Sequence, residues 1–281
     1  METGYGTVLR YLSPECYRQY AIRRTASRYD MCRESSEDYY AGIYLTFIRE
    51  DLRNRFGARA LKILDVGCGQ GRLSIPLAKD GHTLTGIDIS GDAIEHARAY
   101  ASKEQGRVNW IAGDLSSLKA TLPDALFDCI VCTEVLYMVE DPEEFIRGLM
   151  GRLGEGGILI LSLRTRFYYM LTGIKRRDWD MVSLVASRFS GTLDGLPFHW
   201  HTKASVKDML SPLGLRAIRC RGIGIFSGIP EDPLASICIP STLDPGERQS
   251  LMDIELLLAG DYAGNGRYLY VAVEAAPRPG A

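Results

Sequence analysis

The chain has 281 residues, 46% of them hydrophobic, and its 33 Lys and Arg against 35 Asp and Glu leave a net charge of −2. That balance argues against a chain built to hold polyanions, which bind to basic faces, and the apolar fraction suffices for one large core with appendages or two small domains. No stretch approaches eighteen apolar residues, and the opening METGYGTVLRYLSPECYRQY lacks the apolar core of a secretory leader, so a cytoplasmic protein without membrane or nucleic-acid partners is expected.

The first sixty residues read as helical and aromatic. ECYRQYAIRRTASRYD and SEDYYAGIYLTFIREDLRNRF place apolar and tyrosine residues three and four apart, and Gly57 closes the second as a C-cap. From Leu61 strand and helix alternate. LKILDVG, HTLTGIDIS, VNWIAGDL, LFDCIVCTEV and GILILSLR read as strands. Between them, GRLSIPLAKDG, GDAIEHARAYASKEQG and DPEEFIRGLMGRLGEGG read as helices, the last capped by Asp141 with Pro142 at its first position. Such alternation implies right-handed crossovers and a mostly parallel sheet.

Beyond Arg166 the rhythm breaks into an insertion of mixed character, after which KASVKDMLSPLG reads as a helix and LRAIRCRGIGIF as a strand. PGERQSLMDIELLLAG is a further helix and GRYLYVAVEA a last strand, so the two late strands fit an antiparallel pair at one sheet edge. The tail APRPGA carries no structural signal. Seven scattered cysteines fit reduced thiols. Cys129 and Cys132 form a C-x-x-C, but in a strand residues three apart face opposite ways, so no metal or disulfide is expected there.

The most informative stretch is LKILDVGCGQGRLSIPLA. Glycines at 67, 69 and 71 between a strand and a helix let bare main chain lie against a ligand, with the helix N-terminus pointing its free N–H groups that way. A dinucleotide fingerprint counted from Gly67 requires glycine at 72, where Arg72 stands. Asp65, leading the loop, would repel a pyrophosphate but suits an ammonium group engaged directly or through water, so a ligand with an amino-acid end is favoured.

This segment resembles the first motif of the class I S-adenosylmethionine-dependent methyltransferases, and the resemblance continues down the chain. Asp88, ending LTGIDIS, matches the acid that holds both ribose hydroxyls in that family. Asp114 in IAGDL matches the acceptor for the adenine amino group, with Leu115 beside it, and Cys132 to Glu134 match the residues along the methionine part. The resemblance implies a Rossmann-like, seven-stranded, mostly parallel α/β sheet with an antiparallel C-terminal hairpin. It implies S-adenosyl-L-methionine as cofactor. The implied cofactor-binding set is Asp65, Gly67, Cys68, Gly69, Gly71, Asp88, Ile89, Asp114, Leu115, Thr133 and Glu134, with Tyr29 from the first helix toward the carboxylate end. Relatives often carry His where Met138 stands, so Met138 is left out of the site.

The expected organisation is a helical cap over residues 1–60, a cofactor-binding core over 61–165, a substrate lid over 166–205 and completion of the core sheet over 206–281. Methyl transfer needs a base only when the acceptor must lose a proton, and His199, His201, Tyr137 and Glu134 are the base candidates, among which the sequence does not choose. Thr202 is a candidate cap for the following helix, with Trp200 packed inward. His82 and His96 read as solvated, as does the basic cluster Lys175, Arg176 and Arg177. Tyr17, Tyr20, Tyr39, Tyr40, Phe167, Tyr168, Tyr169 and Trp179 are candidate walls for a flat apolar acceptor. The expected activity is methyl transfer to O, N or C of a small molecule, with no metal. The alternatives are an RNA or protein methyltransferase, a cofactor-binding protein without turnover, and a nicotinamide-dependent reductase. Oligomeric state stays open.

Overall fold

Seven strands form one sheet in the order β3-β2-β1-β4-β5-β9-β8. They are β1 (Lys62–Val66), β2 (Thr83–Asp88), β3 (Val108–Ala112), β4 (Phe127–Cys132), β5 (Leu153–Arg164), β8 (Leu215–Ile223) and β9 (Tyr268–Ala275). The computed structural model describes residues 36–104, 107–193, 196–230 and 232–276. The helix expected over residues 15–30, with Tyr17, Tyr20 and Tyr29, therefore lies outside the described residues. β1 to β5 run parallel, and β9 pairs antiparallel with both β5 and β8, the edge pair the sequence suggested.

The central strands are apolar on both faces because helices cover both. One face carries Ile63, Cys129, Val131, Ile158 and Ile160, packed with Tyr40, Ile43 and Tyr44 of α1 (Ser36–Phe56). The other carries Leu64, Cys132, Leu159 and Leu161, packed with Ile146 and Leu149. Cys129 and Cys132 thus belong to different cores, as the strand period requires. Helix α1 ends where Gly57 turns left-handed at φ 67°.

The remaining parallel crossovers are α2 (Ser74–Lys79), α3 (Gly91–Glu104), α4 (Leu115–Thr121) and α5 (Pro142–Met150). Asp141 caps α5 by accepting from Glu144 N, with Pro142 in the first turn. That helix stops earlier than its sequence suggests. Arg152 N closes onto Leu149 O, and the glycine-rich stretch after it is already β5, paired to β4 through a register shift between Phe127 and Cys129.

The insertion after β5 folds into α6 (Arg166–Arg176), α7 (Trp179–Ser187) and a hairpin of β6 (Ser190–Leu193) and β7 (Leu196–His199). Tyr169, Met181, Val185 and Trp200 give it a small core of its own. Helices α8 (Lys203–Leu210) and α9 (Pro245–Leu258) complete the described fold. No described helix is long and apolar enough to cross a membrane.

Candidate active site

Strand order reverses between β1 and β4, so the loops leaving their carboxyl ends diverge and open a crevice, the usual ligand position in such sheets. A cavity of about 1880 Å³ lies there, larger than the roughly 300–1,000 Å³ of a usual small-ligand site.

One wall is the glycine loop. Gly67, Gly69 and Gly71 have φ of 74°, 53° and 85°, a left-handed region that side-chain-bearing residues resist. Gly67 N and Cys68 N donate to Ile87 O at 2.8 and 3.1 Å, and Gly69 N donates to Asp88 Oδ2 at 2.8 Å. Asp88 Oδ1 accepts from Ser90 N at 2.8 Å. Asp88 therefore braces the loop and lines the cavity, each oxygen keeping a further lone pair for a diol. Burial raises its carboxyl above the ordinary value, opposed by the Ser90 and Gly69 N–H groups.

Three residues expected in the loop's contact surface do not line the cavity. Gly71 is needed for packing, since a Cβ there would stand 2.6 Å from Trp110 Cη2. The Cys68 thiol is buried, and burial pushes its pKa up. Asp65 is 2% exposed and accepts from Ser74 Oγ at 2.5 Å, so it lies beneath the loop instead of meeting a ligand directly. Burial raises the Asp65 carboxyl to about 6, opposed by the Ser74 bond and Arg72.

Because this folded-state pKa is raised, the stability is fully present below the unfolded carboxyl value and declines as pH rises through about 6. Asp65→Asn is therefore expected to raise Tm at pH 8, by the equivalent of about 3 kcal/mol, and to change it little at pH 4. An equal shift at both pH values would contradict the burial argument.

Asp114 lines the cavity and also caps α4. Its Oδ1 accepts from the backbone and hydroxyl groups of both Ser116 and Ser117. The Ser116 hydroxyl, then Ser117 N–H, hold its pKa down to about 2. With all four bonds on Oδ1, the turn role and a ligand role do not compete for one atom. Leu115 and Ile89 line the same side.

Thr133 and Glu134 follow β4 on the opposite side of the crevice. Glu134 is left-handed at φ 61°, uncommon for a residue with a side chain and a mark of a constrained site. Its N–H donates to Ser162 Oγ at 2.7 Å, and its carboxylate accepts from Arg72 Nη2 and, at 2.6 Å, from the Tyr268 hydroxyl. Arg72 Nη1 pairs with Glu37 at 2.7 Å, tying α1 to the glycine loop. Burial raises the Glu134 carboxyl, but Arg72 and then Arg267 hold it below its ordinary value. Glu134 is thus both cavity wall and anchored ion-pair partner.

His199, His201 and Tyr137 line the same cavity. The strand of His201 is stitched to the end of β5: His201 N donates to Arg164 O and Arg166 N to His201 O, both at 2.8 Å. Trp200 is fully buried, and its Nε1 donates to Arg188 O at 2.6 Å, which turns the flanking histidines the other way. Thr202 caps α8 reciprocally with Ser205.

Burial lowers the His199 pKa, opposed by the Val139 backbone and Asp141, and its Nε2 is buried without a partner among the described residues. Burial, then the charge of His199, lowers His201 to about 4; its Nδ1 faces Ser205 Oγ at 3.4 Å. Burial raises the Tyr137 phenol.

The other sequence candidates divide. Tyr39 and Tyr40 enter the core, donating to Glu255 and to Ser227 O, instead of walling the cavity. Tyr169 packs edge-on against Phe198 and Trp200, while Trp179 is exposed. Lys175, Arg176 and Arg177 are exposed, Lys175 donating to Asp232 O. His96 is exposed, whereas His82 is half-buried and accepts from Leu61 N at 3.3 Å. Arg72, Met138 and Phe189 line the cavity without having been singled out for it. For Arg72 the available signal was its place directly after the third glycine.

Residues 64–161 match the family model described as methyltransferase domain. A ubiquinone biosynthesis O-methyltransferase of Rickettsia felis is 36% identical over 132 residues, 46% of this chain and 53% of that protein. The chain thus spans about half the length of the curated relatives it matches. Among solved structures, magnesium protoporphyrin IX methyltransferase from Synechocystis PCC 6803 with bound SAH has a TM-score of 0.53 at 19% identity, covering 78% of this chain and 93% of that one. The plantazolicin methyltransferase BpumL in complex with a monoazolic desmethylPZN analog and SAH gives 0.56 at 17% identity, covering 97% and 96%. At such identities these two likenesses speak for the fold.

Proposed function

We propose that this chain, whose residues 64–161 belong to the class I S-adenosylmethionine-dependent methyltransferases, moves the methyl group of S-adenosyl-L-methionine to a hydroxyl oxygen of a small-molecule acceptor. The observation that carries the reading is the unit formed by the glycine loop and Asp88, facing the same cavity as His199. In this reading Asp88 takes the ribose hydroxyls, Asp114 and Leu115 the adenine, and Gly67, Gly69, Thr133 and Glu134 the amino-acid end. Asp65 acts from beneath, on the loop. The insertion over residues 166–205 is the lid, contributing Phe189 and the two histidines to the acceptor side.

When bound, the cofactor supplies an electrophilic methyl group and a neutral thioether leaving group. The chain's own work is then alignment, exclusion of water and acceptance of one proton. Of His199, His201 and Tyr137, His199 suits that role. It is neutral at physiological pH and keeps Nε2 free, whereas His201 at about 4 is a weak base and the Tyr137 phenol stays protonated. The Rickettsia felis relative is named an O-methyltransferase, which agrees with oxygen as the accepting atom.

Label from methyl-labelled donor should appear on hydroxylated metabolites incubated with the protein. Asp88→Ala should weaken S-adenosyl-L-homocysteine binding by about 1–3 kcal/mol, the cost of removing a charged hydrogen-bond partner. Unchanged affinity in a calorimetric titration would count against the ribose assignment. Turnover should fall as pH drops through the His199 pKa, which lies below 6.5, and His199→Gln should remove that acid limb. A limb that survives the substitution would move the base elsewhere.

A further inference from the structure

Arg164 and Arg267 stand side by side at the carboxyl edge of the sheet. Arg164 ends β5, opposite Tyr268 in the antiparallel register, and Arg267 directly precedes Tyr268. They are only 7% and 6% exposed. Tyrosine faces hold the Arg164 guanidinium: its carbon is 4.0 Å from the Tyr268 ring centroid, 4.5 Å from Tyr168 and 4.9 Å from Tyr137. Arg267 lies 5.4 Å from the Tyr268 centroid and 5.6 Å from Tyr40.

Aromatic faces attract a cation without neutralising it and leave its N–H edges free. Those edges are unmet: Nε and Nη1 of both arginines are buried without hydrogen-bond partners among the described residues. The nearby carboxylates Glu37, Glu134 and Asp232 match Arg72, Arg164 and Arg267 in number but are shared unevenly. Glu37 and Glu134 are taken by Arg72, Asp232 reaches Arg267 Nε only at 3.5 Å, and Arg164 has no ion pair among the described residues. Each guanidinium also feels the other as a like charge. Water would meet the N–H groups but leave the buried Arg164 charge without an ion pair, a costly state that an anion relieves. The pair is one ring away from the cavity, since Tyr137 lines the cavity and stacks on Arg164.

We propose that Arg164 and Arg267 form a carboxylate-binding subsite, reached past Tyr137, that recognises an acidic group on a flat aromatic acceptor. The aromatic preference follows from the rings at the approach, where Tyr137 stacks on Phe198 with centroids 6.1 Å apart. Guanidinium pairs suit carboxylates because planar N–H groups match planar oxygens. This rests on the methyltransferase reading for what the site serves, though not for the existence of the site.

Benzoate and benzamide share shape and differ in charge, so their binding to the full chain saturated with S-adenosyl-L-homocysteine tests the proposal by calorimetry. Benzoate should bind at least tenfold more tightly. Arg164→Met should erase that preference, leave S-adenosyl-L-homocysteine affinity unchanged, and leave the Tm of the ligand-free protein equal or higher. Equal binding of the two probes by the unmodified protein overturns the proposal, with no variant needed. It is also overturned if Arg164→Met weakens S-adenosyl-L-homocysteine but not methylthioadenosine, because the arginines then hold the donor's carboxylate. If S-adenosyl-L-homocysteine itself fails to bind, the methyltransferase reading fails, and the two probes compared on the ligand-free chain still decide the subsite.

Discussion

Arg72→Met is expected to lower Tm at pH 7 by roughly 6–20 °C, corresponding to about 3–5 kcal/mol, the cost of stranding buried carboxylates. The substitution roughly keeps volume, so packing is a minor part of the loss. What it removes is the one cation among the described residues that pairs with Glu37 of α1 and Glu134 after β4, across side chains only 9–16% exposed. Glu134 suffers twice, because its left-handed backbone is held in place partly by that pair.

Arg72 helps hold the Glu134 carboxyl below its ordinary value, so its removal raises that pKa, and the deficit should shrink as pH falls and the carboxyls take up protons. Adding Glu134→Gln should recover part of the loss, since the stranded charge is gone and the Tyr268 hydroxyl keeps an acceptor. Chemical denaturation at pH 7 and pH 5 reads all three quantities. A deficit independent of pH and of Glu134 would mean that Arg72 acts only by filling space.

Gly67→Val should abolish measurable S-adenosyl-L-homocysteine binding and cost about 2–5 kcal/mol of stability. Two effects add. A Cβ at Gly67 would stand 2.2 Å from Val135 Cγ2, and φ is 74°, where a branched side chain is strained. Gly57 separates them. It has φ 67° with nothing within 4 Å of an added Cβ, and it lies at the end of α1 away from the cavity. Gly57→Val should therefore lose about 1–2 kcal/mol to backbone strain while binding normally. If Gly67→Val binds as well as Gly57→Val does, the loop is not the ligand's seat.

What the sequence made legible is what local chemistry forces. The glycines at 67 and 69 have no substitutes at positive φ, the strands announce themselves as apolar runs, and Asp141 and Thr202 cap helices through bonds three residues long. His199 and His201 were legible because Trp200 between them is large enough to be driven inward.

The rest was hidden by distance along the chain. Arg72 meets partners 35 and 62 residues away, and nothing near it in sequence names Glu37 or Glu134. Arg164 and Arg267 look like ordinary charges at strand ends until β9 inserts beside β5. Asp65 was read as engaging a ligand directly or through water because it leads the loop, but strand alternation and the Ser74 hydroxyl turn it beneath, away from direct contact. Likewise Tyr39 and Tyr40 become core residues only because α9 and the turn after β8 supply Glu255 and Ser227 O as acceptors.

The central claim is that the crevice beside Gly67, Gly69 and Asp88 takes a sulfonium nucleoside and not a dinucleotide. Isothermal titration of the full chain with S-adenosyl-L-homocysteine and, separately, with NAD tests it most directly. The account predicts saturable one-to-one heat from the first and none from the second; heat from NAD alone would contradict it.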